Sequence, residues 1–201
     1  MKKKTFQLLL KKNQGFAMIE ALVAILILSI GVLGMVGMQS AAIRYEQNSW
    51  ARSAVSMMGG EIADRIRANA GTANNTAYSY TNNYVDERTL IDEGSAFTLT
   101  VDCTSTVCTP DQLAIFDLIR WRDSLNRLAP GAVGLVSGSR AQSYVVTIAW
   151  FDKTYLKDGV GGLDTAATCE ANLLLAAARN CCPAALSSPA GVRCVNFAVV
   201  P

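Results

Sequence analysis

The chain has 201 residues, 51% of them hydrophobic, and carries 18 basic against 16 acidic side chains for a formal net charge of +2. That length holds one ordinary domain plus an extension, and the apolar fraction is high for a soluble protein. With no histidine the chain lacks the commonest general base and metal ligand, and it shows neither a nucleophile motif nor a glycine-rich phosphate loop, so neither enzymatic chemistry nor a bound cofactor is expected.

Five lysines (Lys2, Lys3, Lys4, Lys11 and Lys12) open the chain with no acid among them. Without residues 1–15 the balance is 13 basic against 16 acidic side chains, a net of about −3, so the positive excess belongs to the leader and a nucleic-acid partner is not indicated. Residues 21–43 are 23 consecutive positions without a charge, which meets the ~20 needed to cross a hydrocarbon core. The lysines ahead of them keep the N-terminus in the cytoplasm and send the rest outward. An ordinary secretory signal has a shorter apolar core followed by a small-x-small cleavage site. A plain uncleaved anchor is the alternative, but it leaves Glu20 unexplained, because an ionised side chain inside a membrane costs ~2.5 to 3.5 kcal/mol even on the permissive insertion scale.

The run Gly15-Phe16-Ala17-Met18-Ile19-Glu20, preceded by lysines and followed by an uninterrupted apolar segment, resembles the class III leader of type IV pilins and of type II secretion pseudopilins. The resemblance implies that prepilin peptidase cuts after Gly15 and methylates the new amine of Phe16, so that the apolar segment stays on the mature protein. Glu20 then has a physical role. It sits in the first turns of a helix beginning near Phe16, where the helix dipole favours an anion, and in a bundle of apolar stems it lowers its cost by approaching the N-terminal ammonium of a neighbouring subunit. Such a pair selects register more than it adds stability, since desolvation offsets most of the Coulomb gain. Glu20 is read as the assembly registration residue.

No proline precedes Pro110, and Ile43, Trp50, Ala54, Met58, Ile62 and Ile66 follow steps of four or seven, the period of one helix face. One helix from Phe16 to about Asn69 is predicted, roughly 80 Å long at 1.5 Å per residue. Gly31, Gly34, Gly37, Gly59 and Gly60 each weaken it by ~1 kcal/mol relative to alanine; close packing of stems and local bending are both open readings. Residues 71–94, rich in Asn, Thr, Tyr and acids, read as an exposed connection. Asn74-Asn75-Thr76 fits a glycosylation sequon there, although a polar loop suffices. Residues 97–101 alternate as a half-buried strand facing the stem.

Thr109-Pro110-Asp111-Gln112 carries a capping-box pattern. A helix is predicted to start there, with Ala114, Leu118, Trp121, Leu125 and Leu128 as its inner stripe and Ala129-Pro130-Gly131 as its stop. Arg120, Arg122 and Arg127, interleaved with Asp117 and Asp123, read as a solvated face. Residues 133–136, a turn at 137–140 and residues 144–151 read as a hairpin with Val146, Ile148 and Trp150 on one face. Residues 165–179 read as a short alanine- and leucine-rich helix in a stapled excursion, and Val195, Phe197 and Val199 as a last strand. The sum is an α+β fold in which an antiparallel sheet packs across the C-terminal half of a long, partly transmembrane N-terminal helix.

All six cysteines (Cys103, Cys108, Cys169, Cys181, Cys182 and Cys194) lie beyond the apolar segment, as maturation in an oxidising compartment requires. Six cysteines allow 15 pairings. Cys103 and Cys108 are close enough to close a small loop, and the Cys169/Cys181 and Cys182/Cys194 spacings suggest two more local bridges. Structural stapling is expected rather than redox catalysis, since no C-x-x-C occurs.

Residues 30–39 (IGVLGMVGMQ) and 64–69 (DRIRAN), with Cys108-Thr109-Pro110 leading to Leu113, Ala114, Asp117 and Trp121, and Thr147-Ile148-Ala149-Trp150, resemble the PilV family of minor pilins over about residues 1–150. That resemblance implies a type IV pilin-like protein divided into a cytoplasmic leader (1–15), a transmembrane and fibre-core half-helix (16–43) and a periplasmic head (44–201). It implies inner-membrane insertion with a cytoplasmic N-terminus, then passage into the pilus at or near its tip. The expected partners are prepilin peptidase, the major pilin and other minor pilins, a possible tip adhesin, and inner-membrane lipid before assembly. The implied role is priming of pilus assembly in support of twitching motility and adhesion. A type II secretion minor pseudopilin is the alternative within this architecture, and a membrane-tethered periplasmic enzyme the alternative outside it.

Overall fold

The computed structural model describes residues 16–69, 71–129, 131–153, 155, 162–170 and 177–201. In chain order these form α1 (Phe16–Asn69), α2 (Tyr84–Asp92), α3 (Pro110–Leu128), β1 (Val133–Ser139), β2 (Ser143–Phe151), 3-10 turns at Ala177–Asn180 and Ala184–Leu186, and β3 (Val192–Val199). The chain divides into two compact units, Met1–Gln47 and Asn48–Pro201, and α1 contributes residues to both.

In the first unit, Met18–Ile43 is long and apolar enough to cross a membrane, and none of that stretch is buried within the protein. Its two serines are satisfied inside the helix: Ser29 Oγ donates to the Leu26 carbonyl at 2.7 Å and Ser40 Oγ to the Val36 carbonyl at 2.9 Å. A hydroxyl bonded back to its own helix can sit in hydrocarbon at little cost.

The second unit is α+β. Its sheet has the order β1-β2-β3 and is antiparallel throughout, with Val136 opposite Val146 and Val146 opposite Phe197. One core lies between helices and sheet: Val55, Met58, Ile62 and Ile66 of α1 meet Ala114, Leu118, Trp121 and Leu125 of α3 and Val136, Val146, Ile148 and Val199 of the strands. On the other side of the sheet Val133, Leu135, Ala149 and Val192 pack with Tyr84 of α2 and with Leu186 and Cys182. Both faces of the strands are therefore covered, which explains the runs of consecutive buried residues in β1 and β2.

Two glycines set the spacing of these layers. A Cβ on Gly59 would lie 2.6 Å from the Phe197 ring, and one on Gly134 would lie 2.5 Å from the Trp121 indole. α1 and α3 thus approach the sheet more closely than any larger residue allows. The α3 start is as its sequence predicts: Gln112 N donates to Thr109 Oγ1 at 3.3 Å, and Thr109 N donates to Gln112 Oε1 at 2.9 Å.

Several expectations are corrected. Burial along α1 begins at Ala54, because Trp50 is 52% exposed and Ile43 55% exposed. Residues 71–94 are not simply an exposed connection: they contain α2, capped where Asp86 N donates to Asn83 Oδ1 at 2.8 Å, and they bury Tyr78 and Glu87. Residues 97–101 alternate in exposure but form no strand; half-buried Leu99 and Val101 share the lining of a small pocket with Ile115, Phe116 and Ile119 of α3, so their apolar side faces a helix and not a ladder partner. Residues 165–170 are not helical, Ala177–Asn180 is a single 3-10 turn, and residues 171–176 of that predicted helix lie outside the described residues.

Gly134→Ala should overpack the Trp121 site and cost about 1 to 3 kcal/mol. Gly60→Ala, which meets no atom within 4 Å, should stabilise by up to ~1 kcal/mol. Thermal unfolding of both variants in detergent checks the opposite signs.

Candidate functional site

The segment expected to be processed and assembled starts at the edge of what is described. Gly15 lies outside the described residues, and Phe16 is the first residue of α1. Glu20 is exposed on α1 beside Met18, Ile19 and Leu22, each at least 60% exposed. It is the sole charged side chain from Met18 to Ile43. Its neighbours are apolar, so in an apolar medium the carboxylate is the costliest group of this stretch.

In the second unit a polar clamp joins α1 to α3. Arg65 Nη1 donates to Asp117 Oδ1 at 2.9 Å and Arg65 Nη2 donates to Glu61 Oε1 at 2.6 Å. Tyr78 Oη donates to Asp117 Oδ2 at 2.8 Å. Asn69 Nδ2 donates to the Pro110 carbonyl at 2.7 Å, and Trp121 Nε1 donates to the Met58 carbonyl at 2.8 Å. Burial pushes the Tyr78 phenol well above its ordinary range, and the bond to Asp117 adds to the shift. Arg65 and Asn69 belong to the stretch 64–69, and Asp117 and Trp121 to the α3 pattern, singled out in the sequence. The structure brings these two patterns into direct contact.

A second network contradicts the reading of Arg122 as part of a solvated face. Arg122 and Glu87 form an ion pair with both side chains at least 95% buried. Arg122 Nε donates to Glu87 Oε1 at 3.1 Å, while Tyr80 Oη at 2.6 Å and Asn82 Nδ2 at 3.1 Å donate to Glu87 Oε2. The Arg122 guanidinium also lies over the Tyr80 ring, 4.0 Å from its centroid. Burial first, then the bond to Glu87, pushes the Tyr80 phenol up to about 12. Asp117 is buried too, whereas Arg120 and Arg127 are exposed and Arg127 pairs with Asp123. The available signal was the spacing of Leu118, Arg122 and Leu125, which places the arginine on the inner side of α3.

Three disulfides hold the remainder: Cys103–Cys108, Cys169–Cys181 and Cys182–Cys194. The first closes an exposed loop whose Val107 is 98% exposed. The other two diverge from adjacent residues. Cys182 ties to β3, and Asn196 of β3 donates to the Cys181 carbonyl at 2.9 Å while accepting from Thr147 Oγ1 at 2.7 Å. The Asn74 side-chain amide of the sequon is engaged with Asp111.

Residues 10–36 match the prokaryotic N-terminal methylation motif. Neither a curated protein nor a solved structure matches the chain. The motif is a class III prepilin-type leader and, with the membrane-capable α1 segment, supports a type IV pilin-like protein, whether pilin or pseudopilin. Such a protein is structural, anchored in a membrane, processed by a prepilin peptidase and assembled with other pilins.

Removing one partner of the buried pair should be severe: Arg122→Ala leaves Glu87 uncompensated and should cost about 3 to 5 kcal/mol, whereas the double variant Glu87→Met with Arg122→Met should cost much less. Denaturant titration of the two variants measures the difference. The tyrosines set an alkaline limit. Below pH ~10 the phenols are protonated in folded and unfolded chains alike, and their contribution is whole. Above that the unfolded chain ionises first, so stability should fall as pH rises through the Tyr80 value of about 12. Tyr80→Phe should flatten that loss in a pH series of unfolding curves.

Proposed function

We propose that the chain is a minor pilin of the type IV pilus, of the PilV kind, which primes fibre assembly with other minor pilins at or near the tip and supports twitching motility and adhesion. The observation that carries this reading is the methylation motif over residues 10–36 running unbroken into an apolar helix with one carboxylate near its start. Residues 1–15 are then the cytoplasmic leader, removed by prepilin peptidase after Gly15 with methylation of Phe16. Residues 16–43 hold the chain in the inner membrane and later in the fibre core, and residues 44–201 form the periplasmic head, with a tip adhesin as a further partner.

Glu20 lies four residues beyond Phe16, about 6 Å of helix rise. A neighbouring stem advanced by that amount brings its freed ammonium level with the carboxylate, and the pair lets both charges enter an apolar bundle in one register. The second reading, a minor pseudopilin of type II secretion, shares the leader but usually has a smaller head with fewer cysteines. Three disulfides in this head favour the pilus.

Mass spectrometry of sheared pili should find the chain at low abundance with methylated Phe16 as its first residue. Glu20→Ala should still insert and be processed but enter fibres poorly. A mature chain that keeps its lysine leader, or normal incorporation of the variant, overturns the reading, and loss of fibres on deletion of the gene supports priming.

A further inference from the structure

The second unit contains a cleft of about 330 Å³ lined by residues of α1, β2 and β3 together with Tyr155, Ala166 and Asn180. Its walls include Arg52 and Val55 of α1, Trp150 of β2, Arg193 of β3, Tyr155 and Asn180. Two of the lining side chains are cationic and, among the described residues, none is acidic. The volume is at the lower end of ligand pockets, roughly 300 to 1,000 Å³, and suits one or two side chains rather than a large molecule.

Arg193 is held in position. Its guanidinium lies over the Tyr155 ring, 4.1 Å from the centroid, and its Nε lies 3.1 Å from Oδ2 of Asp152, a carboxylate 2% exposed. Stacking on Tyr155 fixes the plane of the guanidinium and Asp152 lies beside it as a counter-charge, while the buried Nε makes no hydrogen bond among the described residues. The Asp152 carboxylate balances one of the two cations. Arg52 is exposed and, among the described residues, has no ion-pair partner, so the described lining of the cleft keeps a positive excess. The apolar walls of Val55 and Trp150 lower the local dielectric and strengthen any charge-assisted bond made there.

We propose that this cleft is a docking site for an acidic side chain on a partner polypeptide. A carboxylate on a short methylene stem satisfies both requirements at once: its oxygens meet Arg52 and Arg193, and its stem lies along Val55 and Trp150. That the partner is a neighbouring fibre subunit rests on the pilin reading above; the binding itself does not.

The test uses the full-length processed chain in detergent micelles, with the Trp150 indole and Arg193 Nε–H resonances as reporters. The probes are the blocked peptide acetyl-Leu-Glu-Leu-amide and its glutamine counterpart. The acidic peptide should shift both resonances saturably, with the neutral peptide, the Arg52→Gln variant and the Arg193→Lys variant each binding roughly tenfold more weakly. Arg52 is on the surface, so Arg52→Gln keeps the fold and the test stands even if Arg193→Lys does not. Equal shifts from both peptides, no saturable shift, or displacement of the peptide by inorganic phosphate at lower concentration overturns the proposal. Since the titration needs no fibre, a chain that binds the acidic peptide yet never enters pili sinks the pilin reading and leaves this site standing.

Discussion

The packing of one face of α1 against the sheet and α3 is the constraint on which the second unit depends. Val55, Met58, Ile62 and Ile66 are almost wholly buried at steps of three or four residues, so the helix presents a single apolar stripe that must be covered. Gly59 lets the stripe settle on Phe197, and the Trp121 indole reaches across to the Met58 carbonyl. A helix exposed to solvent satisfies its carbonyls internally, and the additional bond from a buried indole shows how closely α3 is seated. The remaining elements are positioned by this junction rather than by their own local preferences.

The same helix changes character along its length. From Met18 to Ile43 every described side chain is exposed, and the segment is apolar all round. From Ala54 onward it is amphipathic and its polar residues are employed in contacts, with Arg65 and Asn69 reaching α3 and its start. A helix that is apolar all round needs an apolar surrounding, and one with a single stripe needs a folded partner. One continuous backbone thus carries two different solvation requirements, which is the physical content of a membrane-anchored subunit that must also join an assembly.

Among the described residues, the buried charges Glu87, Asp117 and Arg122 are each held by partners. Glu87 accepts from Arg122, Tyr80 and Asn82, and Asp117 from Arg65 and Tyr78. Fully satisfied networks of this kind contribute little net stability, because desolvation offsets the attraction, but they penalise every packing that leaves a member alone. They connect α1, the segment after it and α2 to α3. The disulfides do the corresponding work ahead of β3, where Cys182 and the Cys181 carbonyl are held to the sheet at Cys194 and Asn196.

Much of this was determined by the sequence alone. The unbroken apolar run, the lysines before it and Glu20 define the membrane-capable helix and its processing motif without reference to any contact, because composition and order along the chain are what a bilayer and a peptidase read. The start of α3 was legible in four residues, since a capping box is satisfied by its own neighbours. The strands of the hairpin were legible from alternation, although their covering on both faces was not. What only the tertiary structure decided are the features whose meaning depends on distant partners. Arg122 looks like a surface charge until Glu87 is placed against it, residues 97–101 look like a strand until α3 supplies their apolar contact, and α2 is too short and polar to be seen before Asn83 caps it. Local patterns state which groups need burial or neutralisation, and three-dimensional packing selects the groups that provide it.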